Sequence, residues 1–187
     1  GDTNPIKKHY ASMKRYLEHI QQVSMQDYIL TKDTYGDWCM PPESQKLIHS
    51  EDPARKTDGA ILSTTMYYSL LNLMTEFAEI SGNKADISGY KDLAFKIKEA
   101  YNARFFNKDS ALYGNNTVTA NILSLQLGLV PEGYEGRVFD NIVKKLPVPA
   151  QILFGLKSVA DIGDARKNAV FTGDIYDLEP VEFFFIS

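Results

Sequence analysis

Apolar side chains recur every three or four positions along most of this 187-residue chain, and almost nowhere do they alternate. A three-to-four period puts them on one stripe of an α-helix, whereas a half-buried strand needs a period of two. Ile6, Tyr10, Met13, Leu17, Ile20 and Val23 form the first stripe, with Asn4 as cap and Pro5 at the first helical position, where no N–H is needed. A second helix is predicted from Ser63-Thr64-Thr65, carrying Met66, Tyr67, Leu70, Leu71, Leu73, Met74 and Phe77, with a glycine stop at Gly82. A third starts at Asp86 and aligns Tyr90, Leu93, Ala94, Ile97, Tyr101 and Phe105. Ala111-Leu112-Tyr113 reads as a small strand or a turn.

Thr117 opens a predicted fourth helix through Ile122, Leu123, Leu125 and Leu127, closed by Gly128 and Pro131. Val138, Phe139, Ile142, Val143 and Leu146 mark a fifth, and Ile152, Leu153, Leu156, Val159 and Ile162 a sixth that ends at Gly163. The expected fold class is therefore all-α. Short turns at 81–85 and 129–133 set neighbouring helices antiparallel, as hairpins. Hairpins stack in open solenoids or in closed α/α toroids. A solenoid repeats its motif every ~34 to 47 residues, and no such recurrence is present. One toroid-type domain over residues 1–187 is the expectation.

Composition narrows the function classes. With 20 Lys and Arg against 24 Asp and Glu, the net charge is −4, and no basic stripe marks a nucleic-acid binder. No apolar run approaches the ~20 residues of a membrane span. Cys39 is the single cysteine, so neither a disulfide framework nor an all-cysteine metal site can form within the chain. His9, His19 and His49 have no metal-ligand spacing, and no nucleophile elbow or phosphate-binding glycine loop occurs. No metal and no organic cofactor is expected. Gly1-Asp2-Thr3-Asn4 has neither the basic nor the apolar region of a signal peptide. The compartment stays open: periplasmic or secreted if a leader was removed, cytoplasmic otherwise.

Periodicity weakens over residues 24–59, and a long irregular stretch in a compact domain is often functional. Within it lies Tyr35-Gly36-Asp37-Trp38-Cys39-Met40-Pro41-Pro42-Glu43, a proline-closed loop with carboxylates and the sole tryptophan. Carboxylates accept bonds from sugar hydroxyls, and an indole face packs on the apolar face of a pyranose. The plainer alternative has Trp38 filling the core and Asp37 capping a helix. Asp37 and Glu43 are the loop's two candidates for a glycosidase carboxylate pair, but no pair stands out as acid and base. Glu51, Asp52 and Asp58 read as solvated surface. The Phe-rich tail at 183–186 needs a surface to cover it.

Tyr35-Gly36-Asp37-Trp38 and the later run Asn116-Thr117-Val118-Thr119-Ala120-Asn121, continuing to Leu127-Gly128-Leu129-Val130-Pro131-Glu132, together resemble the bacterial α-L-rhamnosidase family. The resemblance covers roughly residues 25–163. It implies a partial (α/α)6 six-hairpin barrel and hydrolysis, with inversion, of terminal α-L-rhamnosides. It also implies a sugar-facing loop in which Asp37, Trp38 and Tyr35 bind substrate. No catalytic residue is carried over. The family's general acid sits in an acidic, arginine-containing motif upstream of the loop, and its base in a tryptophan-containing motif downstream; neither has a counterpart here. Six predicted helices are half of the family's twelve. The expected partners are a rhamnose-containing glycan and, through exposed apolar helix faces, other copies of the chain; no nucleic acid and no membrane. The competing reading is a non-catalytic helical-hairpin scaffold for a glycan or protein, and a third is another six-hairpin glycosidase acting on unsaturated glucuronides or trehalose.

Overall fold

The computed structural model describes residues 2–32, 37, 46 and 50–145. Among them are five α-helices: α1 (Asn4–Ser24), α2 (Gly59–Ser81), α3 (Ile87–Phe105), α4 (Val118–Gln126) and α5 (Glu135–Val143). Two antiparallel hairpins follow α1 and α3: β1 (Met25–Gln26) with β2 (Ile29–Leu30), and β3 (Phe106–Asn107) with β4 (Leu112–Tyr113). The predicted sixth helix, Leu146 and the tail at 183–186 lie outside the described residues.

Charge separates the helices into two kinds. α2 carries only Glu76 and Glu79, both near its end, and α4 carries no charged residue at all. By contrast α1, α3 and α5 are studded with Lys, Arg, Asp and Glu on the face opposite their apolar stripe. α2 contacts α1, α3 and α4, and α4 contacts α5. The chain thus alternates outer, inner, outer, inner, outer, with the inner helices touching. That is an arc of the expected (α/α)6 toroid.

Two apolar clusters hold this arc together. Tyr10 and Leu17 of α1, Tyr67, Leu71 and Met74 of α2, and Ala94 and Ile97 of α3 form one. Ile61, Tyr101, Phe105, Tyr113, Leu125, Leu129 and Phe139 anchor the other, and Tyr68 packs against both. A fully buried side chain such as Leu71 stabilises the fold by about 1.5–3 kcal/mol. Tyr67 donates its buried hydroxyl to Leu17 O at 3.0 Å, and burial pushes this phenol up to about 12.

Several expectations need correction. Asn4 is the first residue of α1 and not its cap; Thr3 holds the cap position without a side-chain cap bond, and Asp2 Oδ1 accepts the Asn4 N–H at 2.9 Å. α2 begins at Gly59, where Asp58 Oδ1 accepts the Ala60 N–H at 2.8 Å. Ser63 and Thr64 instead bind β2: Thr64 Oγ1 accepts from Leu30 N, and Ser63 Oγ donates to Leu30 O. Val23, Met66, Leu73 and Ile122 stand exposed rather than in the core. The hairpin at 25–30 is not apparent from the sequence, because its turn uses Asp27 and Tyr28 at positive φ instead of a glycine. Lys96 Nζ lies over the Tyr28 ring at 5.7 Å, which gives this turn a partner on α3.

Asp86 ties α1 to the start of α3. Its Oδ1 receives Lys14 Nζ at 2.7 Å and its Oδ2 the Tyr10 hydroxyl at 2.9 Å. The Lys14 bond, then the Tyr10 bond, holds the Asp86 carboxyl below the usual carboxylate range. A carboxyl depressed on folding stabilises the fold above its unfolded value of ~3.9, and that contribution is lost as pH falls through the folded value. Asp86→Asn is expected to lower the melting temperature at pH 7, with the gap to wild type closing below about pH 4; thermal melts at a series of pH values check this.

Candidate functional site

The two inner helices begin side by side, and the loops that lead into them are bonded to each other. Asn115 Nδ2, in the loop before α4, donates to Lys56 O at 2.8 Å and to Pro53 O and Ala54 O at 3.3 Å, in the loop before α2. Thr57 and Thr117, the residues just outside the two helix starts, are both buried, and their Oγ1 atoms are 2.7 Å apart. Thr117 also caps α4, accepting the Ala120 N–H at 3.2 Å.

A short polar lattice fixes the α4 side of this junction. Asn121 is fully buried: its Oδ1 accepts Tyr113 N at 3.0 Å, and its Nδ2 donates to Asn116 Oδ1 at 2.6 Å and Thr117 O at 3.1 Å. β4 is thereby latched onto the first turn of α4. Tyr113 donates its hydroxyl to Asn102 Oδ1 at 2.7 Å, and its ring stacks on Tyr101 with centroids 5.4 Å apart. Burial raises both phenols well above their ordinary value, so they serve as neutral packing groups and donors. Gly114 holds φ +54°, and a Cβ there would lie 2.7 Å from Ile61 Cδ1. Only glycine meets both demands without adjustment.

Asp37 sits on this junction. Its Oδ2 accepts from Thr57 Oγ1 at 2.9 Å and from Thr57 N at 3.3 Å. The capping of α2 falls to Asp58, so Asp37 does not hold that helix start. A cavity of about 330 Å³ opens beside it, bordered by Asp37, Arg55, Thr117, Thr119 and Lys145 among others. Carboxylate, hydroxyls and cations around one concavity suit a polyhydroxylated ligand. The groove of about 290 Å³ between α1 and α2, lined by Met13, Tyr16, Leu70, Leu73 and Phe77 among others, is nearly all apolar. It has little with which to bind a hydroxyl.

Of the residues singled out from the sequence, Asp37 is the one described at the site; Tyr35, Trp38, Cys39, Glu43 and His49 lie outside the described residues. Glu51, Asp52 and Asp58 are exposed, as expected, and Asp52 accepts the Ala54 N–H at 2.9 Å while Asp58 caps α2. Among the described residues no three His, Cys, Asp or Glu gather in a group that could hold a metal ion. Sequence reasoning missed Thr57, Asn115 and the latch made by Asn121. The last two flank or follow the cap in the Asn116-Thr117 run, which was the available signal; Thr57 sits in a polar stretch with none.

Hairpins that alternate outer and inner helices, with polar groups gathered where the inner helices begin, define an arc of the α/α toroid class. Residues 1–149 match the model of the bacterial alpha-L-rhamnosidase 6 hairpin glycosidase domain. The chain belongs to that family. It is 29% identical over 150 residues to an alpha-L-rhamnosidase of Formosa agariphila, a match covering 78% of this chain and 15% of that protein. It therefore spans only a small part of that relative's length. The alpha-L-rhamnosidase structure from Dictyoglumus thermophilum superposes with TM-score 0.67 at 29% identity, over 80% of this chain and 16% of that one. The Streptomyces avermitilis alpha-L-rhamnosidase, solved with L-rhamnose, gives 0.63 at 21% identity, over 77% and 12%.

Asn121→Ala tests the latch. It leaves the buried Tyr113 N–H without its acceptor, a loss of about 1–3 kcal/mol. The chain is expected to remain folded, with a melting temperature lower by several degrees; an unchanged melt would show that the latch carries no weight.

Proposed function

We propose that this chain supplies a sugar-facing portion of an α-L-rhamnoside site within a single toroid-type domain. Asp37 accepts a sugar hydroxyl, Trp38 packs its indole on the apolar face of the ring, and Tyr35 lines the same loop. The observation that carries this reading is the position of Asp37: the acid of the Gly-Asp-Trp loop lies at the junction of the inner helix starts, on the edge of a cavity with further hydroxyls. Family membership supports the substrate class, as does the L-rhamnose complex of the Streptomyces protein.

The chemistry assigned to these residues is binding and orientation. A glycosidase needs two carboxyl groups on either side of the scissile bond, about 6.5–9.5 Å apart when the reaction inverts. Asp37 already gives one oxygen to Thr57, and no proton donor or general base is assigned to this chain. Inversion in a complete site is the family expectation. Exposed Tyr16, Met66 and Leu73 support the expected self-association through helix faces.

Saturation-transfer NMR with methyl α-L-rhamnoside tests the reading. Transfer to the rhamnoside is expected with none to methyl α-glucoside, and the glycoside is expected to persist unhydrolysed in the same tube. Asp37→Ala should weaken binding about tenfold, the loss of one hydrogen bond to a charged acceptor. Equal transfer to both glycosides, or an Asp37→Ala variant that binds like wild type, would contradict it.

A further inference from the structure

The hydroxyl pair at the junction has a fixed direction. Thr57 Oγ1 lies 2.9 Å from Asp37 Oδ2, and an ionised carboxylate offers only lone pairs. The Thr57 proton therefore goes to Asp37. Thr117 Oγ1 already accepts the Ala120 N–H, and its own proton is the one left to fill the 2.7 Å contact with Thr57. The bonds run head to tail: Ala120 N–H to Thr117, Thr117 O–H to Thr57, Thr57 O–H to Asp37. Aligned hydrogen bonds polarise one another, and both threonines are buried.

We infer that Thr57 and Thr117 are positioning residues for Asp37. They fasten Oδ2 to the capped start of α4, which leaves Oδ1 as the oxygen presented to the cavity. Among the described residues Oδ1 has no hydrogen-bond partner. Oδ1 is then the acceptor for a sugar hydroxyl. That last step rests on the rhamnoside reading above, whereas the positioning rests on the contacts alone.

The relay makes residues 37 and 117 interdependent through Thr57, which stands between their side chains. A double-mutant cycle with Asp37→Ala and Thr117→Val, read by thermal unfolding of the full chain, tests this. Loss of the α4 cap is common to both arms and cancels. Asp37→Ala is expected to lower the melting temperature of the wild-type chain, and to have at most half that effect beside Thr117→Val. Thr117→Ser keeps the hydroxyl and should restore the full effect. Equal shifts in all backgrounds overturn the relay. If Thr117→Val fails to fold, Thr57→Val and Thr57→Ser run the same cycle.

Methyl α-L-rhamnoside affinity on the same variants separates the two readings. A loss of about tenfold in Thr117→Val, recovered in Thr117→Ser, supports positioning for the sugar. Coupling in the melts with no rhamnoside bound by the wild-type chain keeps the relay and overturns only the sugar assignment. Unaltered affinity in Thr117→Val, beside a wild-type chain that binds, overturns the positioning.

Discussion

Two buried hydroxyls, Thr57 and Thr117, meet at 2.7 Å where the inner helices begin, and the polar end of the molecule is organised around them. Each belongs to a different loop, and each loop leads into a helix almost free of charge. Burying polar side chains without partners is costly, and both buried hydroxyls have theirs. Thr117 closes the first turn of α4, Thr57 turns to Asp37, and Asn115 draws the two loops together over three carbonyls. The hydroxyl pair and the Asn115 amide together keep the two loops in register.

The rest of the fold explains why the junction can exist. α2 and α4 touch because neither carries charge on the faces they share, while α1, α3 and α5 keep their ionic side chains outward. The Asp86 cluster locks α1 against the start of α3, at a distance from the junction in sequence and in chemistry. Stability is thus shared between apolar clusters and a few polar clasps, and the site occupies the place where the loops before α2 and α4 converge.

The helices were legible in the sequence because a three-to-four apolar period is a strong signal over four or five turns. Gly82 and Thr117 ended and began their helices as read, since a left-handed glycine and a threonine cap act locally. The start of α2 was misplaced because Ser63 and Thr64 look like caps yet spend their oxygens on Leu30, a partner more than thirty residues away. Met66 and Ile122 fit the apolar pattern but stand exposed, because period alone does not say which flank of an inner helix is covered. Asp37 was recognisable from its neighbours Gly36 and Trp38. Thr57 was not, because a threonine in a polar stretch acquires meaning only when the fold brings Thr117 beside it.

The proposed sugar-facing role of the Asp37 loop is tested most directly through Trp38, the only tryptophan in the sequence. L-Rhamnose is titrated against the chain while indole fluorescence is followed, with glucose and galactose as controls. A saturable change for rhamnose and none for the controls is the expected result, placing the indole beside the bound sugar. A flat response to all three, or the same response to each, would contradict it.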